Sequence, residues 1–104
     1  MAHEQRPGFT PVLQTKDVRV VEYVLEPGAL HPWHYHSEVS DTFYCLEGLI
    51  SIETREPPAS IVLRPGEKFF VSPRVIHHVE NAGADRSRYL LLQGVGKYDF
   101  NQVA

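Results

Sequence analysis

The chain has 104 residues, the size of one domain, and its 10 Lys and Arg against 13 Asp and Glu leave a formal charge of −3. No basic patch accompanies that balance, so nucleic acid is not an expected partner, and with one cysteine, Cys45, no intrachain disulfide can form. No apolar run approaches the roughly twenty residues of a membrane span, and the polar opening MAHEQRPGFT has no signal-peptide core, so a cytoplasmic protein without a membrane partner is expected.

Residues 1–17 read as an N-terminal arm or edge strand, because Met1 to Pro11 is polar and interrupted by proline and glycine. His3, in that arm, is not expected to be a metal ligand. Val18 to Leu25 (VRVVEYVL) is rich in β-branched and aromatic residues and is predicted to be a strand. Glu26-Pro27-Gly28 ends it, since proline presets φ and glycine accepts positive φ. HPWHYH and Thr42 to Leu46 are the next short strands, and Glu47-Gly48 turns the second of them into LISIETR. Pro57-Pro58 breaks the chain before SIVLR, and Arg64-Pro65-Gly66-Glu67 is a further turn. KFFVS, VIHHVEN and RYLLLQGVG follow, the last two separated by a turn over Ala82 to Asp85. The tail KYDFNQVA is compatible with a last strand or a turn of helix.

The runs are short and the turns frequent. No window of twelve or more residues carries an apolar repeat of 3.6. The expected fold class is therefore all-β, a sandwich or barrel. It is organised as an arm over 1–17, a barrel over 18–96 and a tail over 97–104 packed on the barrel.

Within HPWHYHSEVSD, His34 and His36 are separated by one residue. On a strand that spacing puts both imidazoles on one face and Tyr35 on the other. Two adjacent imidazoles can seize a metal ion, and Asp41 is placed to return a carboxylate to them. Alternation from Asp41 turns Phe43 and Cys45 inward. From His77 it turns Val79 inward and His78 and Glu80 outward. Trp33 and Tyr35 fall on the outer face, where aromatics favour a contact between copies of the chain, and a homodimer is expected.

Gly28, five residues, His34-Tyr35-His36, four residues, Asp41, six residues and Gly48 reproduce the first motif of the cupins, with Asp in place of the usual Glu. Gly66, His77 and Asn81 fall at the spacings of the second motif. Ser72 and Arg74 stand where that motif has proline and glycine, and Pro73 is displaced by one. Counting from Pro73 would make His78 the motif histidine; the spacings from Gly66 and to Asn81 select His77. From about Val18 to Gly94 the chain thus resembles a small single-domain cupin, a double-stranded β-helix or jelly-roll barrel.

The resemblance implies one divalent metal ion per chain, held by His34, His36, His77 and Asp41. Three imidazoles and a carboxylate suit iron, manganese, nickel or zinc. Asp41 is one methylene shorter than Glu, so two roles stay open for it: a ligand, or a hydrogen-bond partner of a ligand histidine. Glu38 is a rival carboxylate in the loop, and His31 and His78 are expected outside the metal's reach. The pocket around the metal is expected to be walled by Phe43, Val79, Cys45 and one of Phe69 or Phe70, with Phe70 preferred. The implied function is a metalloenzyme acting on a small oxygenated organic molecule, dioxygenase- or isomerase-like. The alternative is a non-catalytic cupin that binds or senses a small ligand.

Overall fold

A computed structural model describes residues 8–104, so His3 lies outside the described residues. Among the described residues every regular element is a strand. In chain order they are β1 (Phe9–Gln14), β2 (Val18–Leu25), β3 (Leu30–Tyr35), β4 (Ser40–Glu47), β5 (Ile50–Thr54), β6 (Ala59–Leu63), β7 (Lys68–Val71), β8 (His77–Asn81), β9 (Ser87–Gly94) and β10 (Asn101–Gln102). They form two five-stranded sheets, ordered β1-β2-β9-β4-β7 and β10-β3-β8-β5-β6. No helix among these residues is long and apolar enough to cross a membrane.

Period-two patterning builds the core. Along β2 the side chains of Arg19, Val21, Tyr23 and Leu25 are buried and their neighbours are half-buried. Strand β9 repeats this with Ser87, Tyr89, Leu91 and Gln93, and β4 with Asp41, Phe43 and Cys45. Both sheets therefore turn one face inward and bury it against the other. Ile50, Ile52, Leu63, Val79, Val21, Phe43 and Tyr89 are each no more than 2% exposed.

Strand β4 begins at Ser40, earlier than the sequence suggested, so Asp41 lies on a strand and not in the preceding loop. Its backbone pairs on both sides, with Gln93 of β9 and Val71 of β7. The outermost strand β1 pairs with β2 and slips register between Pro11 and Leu13. Proline donates no backbone hydrogen bond, which an edge tolerates.

Alternation also decides between Phe69 and Phe70. Phe69 pairs with inward-facing Phe43, whereas Phe70 pairs with outward-facing Thr42. Phe69 packs against the core, and Phe70 is 57% exposed. The expected pocket role of Phe70 is thus corrected: it lies on the outside of the sheet. On the opposite sheet, the outward-facing Trp33 is covered from within the chain. The Arg55 guanidinium lies 4.4 Å from its ring centroid and the His78 ring 4.2 Å.

The tail does not continue the barrel as a free end. Asn101 and Gln102 pair with Tyr35 and His34 of β3, and the Val103 N–H donates to the Trp33 carbonyl at 2.9 Å. This short return makes β10 the edge strand beside the two motif histidines.

Candidate metal centre

Three strands and the turn after the first of them supply the centre. His34 comes from the end of β3 and His36 from just past it, Asp41 from β4 and His77 from the start of β8. His34 and His77 are partners in the β3–β8 ladder, so the two motifs meet by backbone pairing. The turn before β8 adds a second tie. Arg74 has φ of +70°, in the region glycine prefers, and its N–H donates to the His36 carbonyl at 2.7 Å. Arg74 thus adopts the turn conformation expected of the motif glycine whose place it takes.

One donor atom from each of His34, His36, Asp41 and His77 lies within 4.8 Å of the others, and all four residues are buried. Each imidazole is oriented from behind. His34 Nδ1–H donates to the Pro32 carbonyl at 2.6 Å, His36 Nδ1–H to the Asp99 carbonyl at 2.6 Å, and His77 Nδ1–H to the Val75 carbonyl at 2.8 Å. A ring whose Nδ1 carries the proton presents an Nε2 lone pair, the form a metal ligand needs. His36 and His77 aim Nε2 at Asp41 Oδ2, at 3.2 and 3.0 Å.

Both nitrogens of His77 therefore face oxygen acceptors, and His36 Nε2 lies between the Asp41 carboxylate and the Gln93 amide nitrogen, the latter at 3.3 Å. Nε2 can meet the carboxylate only by carrying a second proton or by sharing a cation with it. The donor set itself calls for positive charge at its middle, and a divalent ion fits that demand.

The electrostatics are uneven. Burial drives the His34 imidazole down to about 4, helped by the neighbouring His77 and His36 and opposed by the Pro32 carbonyl. Burial also lowers His36, but the Asp41 hydrogen bond and charge, with the Asp99 carbonyl, outweigh it and raise the net value. Burial would raise the Asp41 carboxyl; the hydrogen bonds from His36 and His77 overcome this and hold it well below the usual carboxylate range.

A cavity of about 350 Å³ opens onto His34, His36 and Asp41. Phe43 and Val79 line it, as alternation predicts, together with Tyr23, His31, Tyr89, Leu91, Tyr98 and Phe100. Cys45 does not. It is buried in the core below, where its thiol lies 3.4 Å from the Gly48 carbonyl and burial pushes its pKa up. Glu38 is exposed and accepts from the Lys97 N–H at 3.1 Å, away from the centre. His78 faces outward and bonds Glu53 at 2.6 Å.

Three participants escape the sequence reading. Gln93 is 2% exposed and donates through Nε2 to Asp41 Oδ1 at 2.9 Å. Its signal was available: it sits two residues after Leu91 on the inward face of β9, and a buried amide needs partners. Tyr98 and Phe100 reach the site only because the tail folds back. Phe100 stacks on His34 at 4.5 Å and Tyr98 lies 5.4 Å from His36. Asp99 between them accepts from the Ser37 N–H at 2.8 Å, and hydrogen bonds from Ser37 hold its carboxyl at about 2.

Comparisons with known proteins agree with this architecture. A family profile described as "Cupin domain" matches residues 21–93. Germin-like protein 5-1 of Oryza sativa subsp. japonica is 30% identical over 92 residues, covering 78% of this chain. The chain spans 40% of that relative's length. An uncharacterised protein with a double-stranded β-helix domain from Klebsiella pneumoniae superposes with a TM-score of 0.81 at 21% identity, over 100% of this chain and 90% of the other. KdgF from Halomonas sp. superposes with a TM-score of 0.76 at 22% identity, over 91% and 87%. The profile match takes in both histidine-bearing stretches that meet across β3 and β8, and the chain belongs to the cupin family.

Proposed function

We propose that His34, His36, His77 and Asp41 hold one divalent metal ion per chain, and that the protein is a metalloenzyme acting on a small oxygenated organic molecule, dioxygenase- or isomerase-like. The carrying observation is the orientation of the three imidazoles. Each commits Nδ1–H to a backbone carbonyl, and two turn Nε2 to a carboxylate buried among them. Bound there, iron, manganese, nickel or zinc would act as a Lewis acid toward a substrate oxygen. The aromatic wall of Phe43, Tyr89, Tyr98 and Phe100 would seat the apolar body of the molecule and keep water from the centre.

The test is elemental analysis of untagged protein, with native mass spectrometry for a co-purified molecule. Protein that carries a stoichiometric metal and consumes oxygen with a candidate substrate supports the oxygenase reading. Protein that takes up none of the four metals after dialysis against each overturns the metal assignment, and the same cavity would then serve a binding or sensing role.

The proposal includes a cytoplasmic homodimer. Its contact moves from Trp33 and Tyr35 to the outer face of the β1-β2-β9-β4-β7 sheet. There Leu13, Val20, Leu92, Thr42 and Phe70 stand opposite one another in successive strand pairs. The row ends in side chains that are 55% and 57% exposed, Leu13 and Phe70. A strip of four apolar side chains broken only by Thr42 suits a self-contact.

A further inference from the structure

Behind the four candidate ligands, away from the cavity, lies a buried guanidinium. Arg19 of β2 is 8% exposed and stands opposite Gln93 in the β2–β9 ladder. Its Nη1 donates to Gln93 Oε1 at 2.9 Å. The guanidinium is held between rings, with the Tyr98 centroid 4.0 Å and the Phe9 centroid 5.3 Å from Cζ. Among the described residues, no carboxylate lies within ion-pair distance of it. Among the described residues its hydrogen bond goes to the Gln93 amide, so the charge bears on how that amide is oriented.

The orientation has a direct consequence for Asp41. A guanidinium has donors and no acceptor, so the atom of Gln93 that faces it must be the oxygen. The amide nitrogen is then turned the other way, to Asp41 Oδ1 at 2.9 Å and toward His36 Nε2 at 3.3 Å. Reversal of the amide would set its oxygen against the carboxylate and its NH₂ against the guanidinium. Two like-signed contacts in a buried site would result. With Oδ1 occupied by Gln93, Oδ2 is the oxygen left to the imidazole nitrogens.

We propose that Arg19 is a positioning residue of the metal centre. Acting through Gln93, it holds Asp41 by Oδ1 and leaves Oδ2 to the metal. The inference rests on the metal-binding reading above.

The experiment is a titration of apoprotein with cobalt(II), read by visible absorption and by competition with a chelator. It uses wild type, Arg19→Met, Arg19→Lys, Gln93→Leu and the Arg19→Met/Gln93→Leu double variant. Wild type that develops no cobalt band sinks the metal reading itself, and with it the proposal. If wild type binds, Arg19→Met and Gln93→Leu should each weaken cobalt binding by about ten- to a hundredfold, the range for partners of ligands. The double variant should bind no more weakly than Gln93→Leu, because Arg19 has no route to Asp41 once the amide is gone. Should Arg19→Met fail to fold, Arg19→Lys keeps the charge but loses the planar fork. It still sets a donor without an acceptor against Gln93 Oε1, so it is expected to fold and to keep cobalt affinity within about threefold of wild type. Cobalt affinity within twofold of wild type in Arg19→Met, with the spectrum unchanged, overturns the proposal, and so does a loss in Arg19→Lys as large as that of Gln93→Leu. So does an equal loss from Arg19→Met with and without Gln93, which would mark a general effect of packing or charge.

Discussion

His34 and His77 are directly opposed across the β3–β8 ladder, with their rings 4.3 Å apart. The next residue, His78, points to the other face and pairs with Glu53. The register therefore separates two adjacent histidines into different environments. His77→Ala is expected to weaken metal binding by more than a hundredfold, beyond the loss of a mere partner of a ligand. His78→Ala should leave affinity within about threefold, since it opens no coordination position. Metal titration of both variants checks this, and the reverse ranking would mean that the second motif is read one residue too early.

The contribution of His34 to apoprotein stability should be lost as pH falls from neutrality. Burial places the folded His34 at about 4, against an ordinary 6.5. The unfolded chain thus takes up a proton that the folded chain refuses. The stability held above pH 6.5 drains away between 6.5 and 4, by at most about 3 kcal/mol from this group. His36, whose value is raised, acts in the opposite sense: its contribution is present below 6.5 and is lost as pH rises through its folded value. Comparing His34→Gln with wild type isolates the first effect. Urea midpoints measured from pH 7 to pH 4 should fall less steeply in the variant, and parallel slopes would refute the assignment.

Metal binding should expel protons. In the metal-free centre the Asp41 carboxylate raises His36 and favours its imidazolium form. A metal must displace that proton before Nε2 can ligate. Calorimetric titration in buffers of different ionisation enthalpy should therefore report net proton release near pH 6.5, and affinity should climb as pH rises to 8. An enthalpy that does not vary with buffer would contradict a protonated resting site.

Gly48 and Gly66 both have positive φ, at +72° and +91°, yet they should respond differently to alanine. A Cβ at Gly48 would lie 2.8 Å from the Arg86 carbonyl oxygen, whereas one at Gly66 meets nothing within 4 Å. Gly66→Ala bears only the conformational penalty, about 1 kcal/mol. Gly48→Ala adds overpacking against backbone and should cost about 2–4 kcal/mol. Thermal melts of the two variants would test the ranking.

If a second copy docks on the outer row, Phe70→Lys should break the assembly without touching the centre. Phe70 is 57% exposed, so the substitution leaves the core intact. Light scattering should move from twice the mass of one chain to the mass of one chain, with metal content unchanged. A wild type that already runs as a monomer at micromolar concentration removes the dimer from the proposal.

Short β-rich runs between proline and glycine turns were enough to announce an all-β fold, because strand alternation and turn chemistry are local physics, and the resemblance to the two cupin motifs singled out the four residues now found together. That His77 rather than His78 faces the centre also followed from counting, since a one-residue slip in a strand exchanges its faces. The same rule, applied from Asp41 through β7, would have chosen Phe69 over Phe70; the missing datum was the β4–β7 register, which no local pattern carries. Arg19, Gln93 and Asp41 lie far apart in the chain and become a connected row only when β2 and β4 flank β9. Tyr98, Asp99 and Phe100 read as an undecided tail, and only its return along β3 sets a carbonyl behind His36 and a ring against His34. What lies within a strand was decided by sequence; what lies between strands was decided by pairing and closure, where contacts between distant residues offset the entropy of bringing them together.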